Sequence, residues 1–140
     1  MNSPKPPRTI LFVSSGDAVR APMARGFVNA LPGDRYRAAS AGTEPGKLDP
    51  LVQEVMQEVG VDLSDRESLR AGEISDIPVD YLVTVCDRAR KVCPLFPSCG
   101  MAFHKGFPEP EASPEDREAR LAEYRSLRDD IRAWVEQTFV

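Results

Sequence analysis

Short apolar runs recur along the chain and predict four β-strands. The run at residues 9–14 is bounded by turn residues and is typical of a strand buried on both faces of a sheet. The run at residues 79–86 is the next strongest strand pattern. Two weaker runs, at residues 36–41 and 101–104, have a strand-like composition and predict the other two strands. Because the first run comes early and is the strongest of the four, we expect it to form a central strand.

Apolar residues at helical spacing lie between or after these runs and predict three helices. Pro22 occupies the first turn of one helix, which ends at Pro32. Asp49 is a typical N-cap, and Pro50 takes the first position of a second helix. Residues 113–116 cap a third, longer helix. The apolar stripes consist of Met23, Phe27, Ala30 and Leu31, of Val52, Val55, Met56 and Val59, and of Leu121, Tyr124, Leu127, Ile131 and Trp134.

Strands that alternate with helices indicate an α/β fold with a parallel sheet. We expect a single domain with a four-stranded parallel sheet, right-handed crossovers and helices on both faces. A further pair, Ser64 and Glu67, has capping-box spacing and predicts an additional short helix. Ligands bind at the carboxyl ends of the strands in such sheets, so we expect the loops after Ser14 and Cys86 to carry the function.

The length of 140 residues predicts one domain. Residues 1–8 form an arm with Pro and Lys that we expect to be flexible, which leaves residues 9–140 as the folded domain. No apolar run approaches the roughly 20 residues of a membrane helix, and the arm lacks the apolar stretch of a secretory signal. We therefore expect a cytoplasmic protein without a membrane partner.

The charge balance argues against a nucleic-acid partner. Eighteen Lys and Arg against 22 Asp and Glu give a formal net charge of -4. Proteins that bind a phosphate backbone rely on a basic surface for their affinity. Binding of nucleic acid is therefore not expected.

Three cysteines, Cys86, Cys93 and Cys99, carry candidate redox or nucleophilic chemistry. In a reducing compartment we do not expect them to form a disulfide framework. A zinc site that adds His104 fails on spacing because the chain has no Cys-x-x-Cys pair, so no metal is expected. The residues alone leave catalysis, redox chemistry and core packing open.

The connection between the first strand and the first helix has the composition of an anion-binding loop. Consecutive backbone N–H groups at such a place can surround an anion, and a helix N-terminus favours negative charge. Arg20 adds a planar donor fork for a tetrahedral oxyanion. A simple turn with a surface arginine is the alternative that these residues leave open. The predicted oxyanion-binding residues are Ser14, Ser15, Gly16, Asp17, Ala18, Val19 and Arg20.

This connection resembles the phosphate loop of the low-molecular-weight protein tyrosine phosphatases and the thioredoxin-coupled arsenate reductases. In that family a nucleophilic Cys lies six positions before the Arg, at the position that Ser14 occupies before Arg20. The resemblance spans residues 10–134, and Ser40-Ala41-Gly42-Thr43 after the second strand also looks like the family's sequence. The later motifs are similar to the arsenate reductases in particular. They are Thr84-Val85-Cys86, Cys93-Pro94, His104, Gly106-Phe107 and Glu109 before Pro110.

The resemblance implies a redox cycle and a set of catalytic positions. In the family's cycle the first-loop Cys attacks arsenate, the equivalent of Cys86 attacks the adduct, and the equivalent of Cys93 closes a disulfide that thioredoxin reduces. Glu109 stands where the family has an Asp that acts as general acid. No cofactor is implied besides thioredoxin as electron donor. The residues alone also allow packing roles for both cysteines and a solvated carboxylate at Glu109, next to Glu111.

Ser14 departs from the family because it replaces the attacking Cys. A thiol becomes a thiolate beside N–H groups and a cation, whereas a serine hydroxyl needs a strong adjacent base. The loop contains no His. Asp17 stands where the family usually has Asn, and Ala21 stands where it usually has Ser. Because several positions differ together, natural divergence is favoured over the replacement of a native Cys by one engineered substitution.

We therefore expect a catalytically impaired member of the arsenate reductase family that keeps the oxyanion-binding loop and a redox-active dithiol. The expected partners are an arsenate- or phosphate-like oxyanion and thioredoxin. One alternative is an active reductase or tyrosine phosphatase whose Cys was mutated to Ser14, or an enzyme that uses Cys86 directly. Another is a non-catalytic arsenite or oxyanion sensor, or a partner-regulating pseudophosphatase. The candidate catalytic residues are Ser14, Arg20, Cys86, Cys93 and Glu109.

Overall fold

The computed structural model of the chain describes residues 7–15, 18–33, 35–42, 47–63, 79–85, 99–108, 111–113 and 115–139. Four strands and three helices occur within these ranges. Each lies where the sequence pattern predicts an element of the same type. In chain order they are β1 (Arg8–Ser14), α1 (Arg20–Asn29), β2 (Tyr36–Gly42), α2 (Pro50–Gln57), β3 (Val79–Thr84), β4 (Cys99–His104) and α3 (Arg117–Thr138).

The four strands form one parallel sheet in the order β2-β1-β3-β4. β1 lies at the centre, between β2 and β3, as expected for the strongest apolar run. Ser14 at the end of β1 is opposite Gly42 in β2, and Val13 is opposite Thr84 in β3. The predicted class, a single α/β domain with a four-stranded parallel sheet, is confirmed.

One face of the sheet forms the main core with the helices. Ile10 and Phe12 of β1 belong to one hydrophobic cluster with apolar residues from all three helices. The ring of Phe12 meets Trp134 and Phe139 edge to face, with centroids 6.2 Å apart in each pair. The buried helix residues of the cluster include Met23, Ala24, Phe27 and Val28 of α1, Val52, Val55 and Met56 of α2, and Leu121, Tyr124, Leu127, Ile131 and Val135 of α3.

The opposite face of the central strands is buried as well. Successive side chains of a strand point to opposite faces, so Leu11 and Val13 point away from the cluster that contains Phe12. Leu11 is 2% exposed and Val13 is 0% exposed. This burial confirms that the first apolar run is a strand shielded on both faces.

Several element ends differ from their predicted positions. α1 ends at Asn29 rather than at Pro32, and Ala30, which was predicted in its apolar stripe, is exposed. The Asn29 amide instead donates to the Ala38 carbonyl at 3.0 Å and accepts from the Ala38 N–H at 2.8 Å. This pair of hydrogen bonds satisfies the backbone groups of Ala38 on the outer side of β2, which is an edge strand. β3 ends at Thr84, two residues earlier than predicted.

One predicted helix and most of the predicted N-terminal arm lie outside the described residues. These are the short helix at Ser64 and Glu67, and residues 1–6 of the N-terminal arm. β1 begins at Arg8, the last residue of the predicted arm. Among the residues that the structure describes, no helix combines the length and the apolar character needed to cross a membrane.

Candidate functional site

The carboxyl ends of the four parallel strands lie at one edge of the sheet, where the sequence predicts the site. β1 ends at Ser14, which pairs with Gly42 at the end of β2. Beside it, Thr84 ends β3 opposite Val13 and pairs with His104 at the end of β4. The segments that follow these strands therefore leave the sheet from the same edge.

The connection from β1 to α1 carries the predicted oxyanion-binding residues. Ser14 is 2% exposed, and α1 begins at Arg20 after the N-cap Val19. A valine has no side-chain acceptor, and the first turn of α1 carries no acidic residue. The helix's own side chains therefore leave its positive end available to an anion. The structure describes Ser14, Ser15, Ala18, Val19 and Arg20, whereas Gly16 and Asp17 lie outside the described residues.

Arg20 is a buried arginine at the start of α1. It is 7% exposed, and its Nη1 donates to the backbone oxygen of Phe107 at 3.1 Å. Phe107 is itself held by its N–H, which donates to the Val85 oxygen at 3.1 Å, and by a ring contact with Trp134. The burial of Arg20 excludes the alternative of a simple turn with a surface arginine. The guanidinium instead joins α1 to the segment that follows β4.

His104, the only histidine of the chain, lies on the opposite face of the sheet from Ser14. It pairs with Thr84, and Thr84 Oγ1 and His104 Nδ1 are hydrogen-bonded at 2.8 Å. Thr84 lies opposite Val13, whose side chain points to the other face from that of Ser14. His104 is therefore not placed to act as a general base for the Ser14 hydroxyl.

The N-terminus of α2 is joined directly to the connection before α1. The Asp49 N–H donates to the Ala18 oxygen at 3.1 Å. Asp49 Oδ1 accepts from the Leu51 N–H at 2.9 Å, which confirms Asp49 as the N-cap of α2. Asp49 Oδ2 accepts from the Tyr124 hydroxyl at 2.6 Å. One residue therefore links α2, α3 and the connection that leads into α1.

Tyr124 is fully buried in α3, between Asp49 and Arg120. Arg120 Nη2 donates to the Tyr124 hydroxyl at 2.9 Å and lies 3.9 Å from Asp49 Oδ2. Burial, and then the hydrogen bond to Asp49, raises the pKa of Tyr124 to about 12. The hydroxyl therefore stays protonated and donates to Asp49 at neutral pH.

α3 also holds the short segment 111–113. Glu123 accepts from the N–H groups of Glu111 and Ala112, each at 2.8 Å. Arg120 Nη1 donates to the Ala112 oxygen at 2.9 Å. Two side chains of α3 therefore fix the backbone of this segment through three hydrogen bonds.

Sequence reasoning identified Asp49 only as an N-cap and Tyr124 only as a member of an apolar stripe. Each assignment has a local explanation, so neither residue pointed to the other. The one available signal is the hydroxyl of Tyr124 on an otherwise apolar stripe, because a buried tyrosine usually finds a hydrogen-bond partner. Glu123 and Arg120 carried no such signal.

Five of the predicted site residues lie outside the described part of the chain. Within the described ranges, no group of three or more His, Cys, Asp or Glu side chains could hold a metal ion. The catalytic roles assigned from the resemblance stay predictions. The predicted site residues outside the described part of the chain are Gly16, Asp17, Cys86, Cys93 and Glu109.

The sequence of this chain is similar to that of known proteins along most of its length. The family model of low molecular weight phosphotyrosine protein phosphatases matches residues 9–104, which include the connection from β1 to α1. Arsenate reductase 2 of Staphylococcus epidermidis is 32% identical over 129 residues, which cover 92% of this chain and 94% of that protein. The arsenate reductase of Bacillus subtilis is 32% identical over 128 residues, which cover 89% of each chain.

Solved structures share the fold over nearly the whole chain. An arsenate reductase in the phosphate binding state superposes with a TM-score of 0.74 at 22% identity, covering 93% of this chain and 95% of that one. The tyrosine phosphatase amsI of Erwinia amylovora superposes with a TM-score of 0.69 at 24% identity, covering 93% and 92%. At these identities the likeness establishes the fold.

Proposed function

The chain belongs to the low molecular weight phosphotyrosine protein phosphatase family, and on that premise we propose that it binds an arsenate- or phosphate-like oxyanion but is impaired in turnover. The relatives at 32% identity are arsenate reductases, and one structure of the same fold is an arsenate reductase in the phosphate binding state. The proposed anion site lies at the carboxyl end of β1, at the N-terminus of α1.

The position of Arg20 is the observation that carries the proposal. The bond from its Nη1 to the Phe107 oxygen fixes the guanidinium at the edge of the sheet where β1 ends. The same residue opens α1, so the guanidinium and the first amides of the helix belong to one turn. A cation and the N-terminal amides of a helix at one place are the elements that bind tetrahedral oxyanions.

Impaired turnover follows from Ser14. Reduction of arsenate to arsenite takes two electrons, and a serine oxygen supplies none where a cysteine sulfur would. Hydrolysis through Ser14 would need a base to remove the hydroxyl proton, and the single His104 lies on the other face of the sheet. Ser14 can therefore line the anion site without serving as an efficient nucleophile.

Cys86 and Cys93 are proposed to remain a redox-active pair. Arg88, Arg90 and Lys91 lie between them in the sequence and favour the thiolate form. The resemblance to thioredoxin-coupled reductases makes thioredoxin the proposed electron donor, with Glu109 as the family's acid position. Such a dithiol suits a cytoplasmic protein, because that compartment keeps thiols reduced.

A turnover assay of the chain beside Ser14→Ala and Ser14→Cys tests the impairment. We expect thioredoxin-coupled arsenate reduction and p-nitrophenyl phosphate hydrolysis near background for the chain and for Ser14→Ala. We expect Ser14→Cys to restore little activity, because Asp17 and Ala21 also depart from the family. Appreciable arsenate reduction by the unaltered chain would contradict the proposal. Full activity from Ser14→Cys alone would instead identify an active enzyme that has lost its nucleophile.

A further inference from the structure

Three polar groups of Asp49 form hydrogen bonds with three different parts of the fold. Its N–H donates to the Ala18 oxygen, its Oδ1 caps α2 at Leu51, and its Oδ2 accepts from Tyr124 in α3. Asp49 and Tyr124 are separated by 75 positions in the sequence. The link is therefore a tertiary contact between helices rather than a local capping feature.

The bond to Ala18 sets the direction of one peptide group in the connection before α1. In a planar trans peptide the carbonyl oxygen and the following N–H point in opposite directions. Because the Ala18 oxygen is held towards Asp49, the Val19 N–H points away from Asp49. Val19 is the N-cap of α1 and belongs to the predicted oxyanion-binding residues.

We propose that Asp49 and Tyr124 are positioning residues for the oxyanion site: Tyr124 fixes Asp49, and Asp49 turns the Ala18–Val19 peptide so that its N–H faces the anion. This inference rests on the proposed function for its ligand. The peptide orientation itself can be measured without any ligand.

Arg120 extends the link to a second segment. It donates to the Tyr124 hydroxyl through Nη2 and to the Ala112 oxygen through Nη1, at 2.9 Å in both bonds. The same α3 side chain is therefore bonded to the tyrosine that orients Asp49 and to the backbone of segment 111–113. Tyr124 thus has its hydroxyl held from both sides, which limits the movement of Asp49.

Losing the hydrogen bond between Tyr124 and Asp49 should weaken anion binding without removing any group that contacts the anion. Backbone N–H groups bind an anion well when they are already oriented, because no ordering cost then opposes binding. Losing the orienting hydrogen bond should raise the Kd for inorganic phosphate by about 3- to 10-fold. A purely structural role would lower the melting temperature and leave this Kd unchanged.

The test compares Tyr124→Phe with Glu58→Gln. Tyr124→Phe removes only the hydroxyl that donates to Asp49 at the N-terminal end of α2. Glu58→Gln is the matched control, because it weakens a contact with α3 at the other end of α2, through Arg125 and Arg128. The measurements are the Kd for inorganic phosphate by calorimetry and, without anion, the ¹H–¹⁵N shift of the Val19 amide and the hydrogen exchange of the Asp49 amide.

We expect Tyr124→Phe to weaken phosphate binding, move the Val19 signal and speed exchange at Asp49, and we expect Glu58→Gln to do none of these. Equal Kd values for the two variants, with an unmoved Val19 signal, would overturn the positioning role. If the unaltered chain binds no phosphate, the proposed function fails, and the Val19 shift and Asp49 exchange alone decide the positioning role. Asp49→Ala should reproduce the effects of Tyr124→Phe more strongly.

Discussion

Helix α2 is attached to α3 at both ends, through different chemistry. At the N-terminal end the neutral hydroxyl of buried Tyr124 donates to Asp49. At the C-terminal end the carboxylate of Glu58 accepts from the charged side chains of Arg125 and Arg128. Among the contacts of the described residues, the first attachment continues into the connection before α1, and the second stays between the two helices.

The C-terminal attachment is a small ionic cluster near the surface. Arg125 donates to Glu58 through Nε at 3.0 Å and through Nη2 at 2.8 Å. Arg128 donates through Nη1 to Glu58 at 2.8 Å and to the Val55 oxygen at 3.0 Å. The hydrogen bonds of the two arginines, with that of Arg125 the largest effect, lower the pKa of Glu58 to about 2.

The two attachments have different roles, because the ionic attachment contributes to stability and the hydroxyl attachment also positions the backbone. Charges at a half-exposed position contribute to stability in a way that depends on pH and salt. A buried hydroxyl paired with an N-cap carboxylate is constant around neutral pH and fixes the position of the backbone that it contacts. The N-terminal attachment should therefore affect both stability and anion binding, and the C-terminal attachment should affect stability alone.

The largest expected effect on stability is that of Tyr124→Ala. This change removes a fully buried ring from the core as well as the hydroxyl, so unfolding should become easier by about 3–5 kcal/mol. Chemical denaturation measures the loss, and Tyr124→Phe, which keeps the ring, serves as control. A loss no larger than that of Tyr124→Phe would show that the ring contributes little to the contact between α2 and α3.

Arg20→Ala should weaken phosphate or arsenate binding by about 10- to 100-fold, because it removes a charge-assisted donor from the proposed site. Titration calorimetry gives the Kd. The control is Arg132→Ala, which removes an exposed arginine whose partner is Glu136 on the same helix, at 3.0 Å. Unchanged binding in Arg20→Ala would show that the anion binds elsewhere. The N-terminal attachment of α2 would then have no role in anion binding.

Tyr124→Phe should lower the melting temperature by about 3–6 °C at pH 7. The pKa of Tyr124 is raised from 10.0 to about 12 in the folded chain, so the protonated hydroxyl stabilises the fold fully below pH 10. That contribution is lost as the pH rises through 12. The melting difference between the unaltered chain and the variant should therefore shrink on the alkaline side, and a difference that persists above pH 12 would contradict the assignment.

Glu58→Gln should have the smallest effect, a decrease in melting temperature of about 2 °C at pH 7. The pKa of Glu58 is lowered from 4.5 to about 2, so the carboxylate stabilises the fold fully above pH 4.5 and loses this effect as the pH falls through 2. The difference from the unaltered chain should close on the acid side and also decrease at high salt. If it persisted at pH 2, the ionic attachment would not explain the stability contributed by Glu58.

The sequence by itself determined the elements and their order. Strand alternation and helical stripes are properties of short segments, so the apolar run at residues 9–14 and the stripe of α3 are visible without knowledge of the fold. The N-cap role of Asp49 is equally local. Arg20 was identified as an oxyanion donor from its place before a helix, and the predicted roles of Cys86, Cys93 and Glu109 depend on a family resemblance rather than on described geometry.

Only the tertiary structure decided which of these residues meet. The distance of 75 positions between Asp49 and Tyr124 leaves no local pattern that could pair them. The separation of His104 from Ser14 depends on the register of β1, β3 and β4, because a shift of one residue would exchange the two faces. The burial of Arg20 likewise requires the segment after β4. Contacts of this kind arise from packing between distant segments, which periodicity within one segment does not encode.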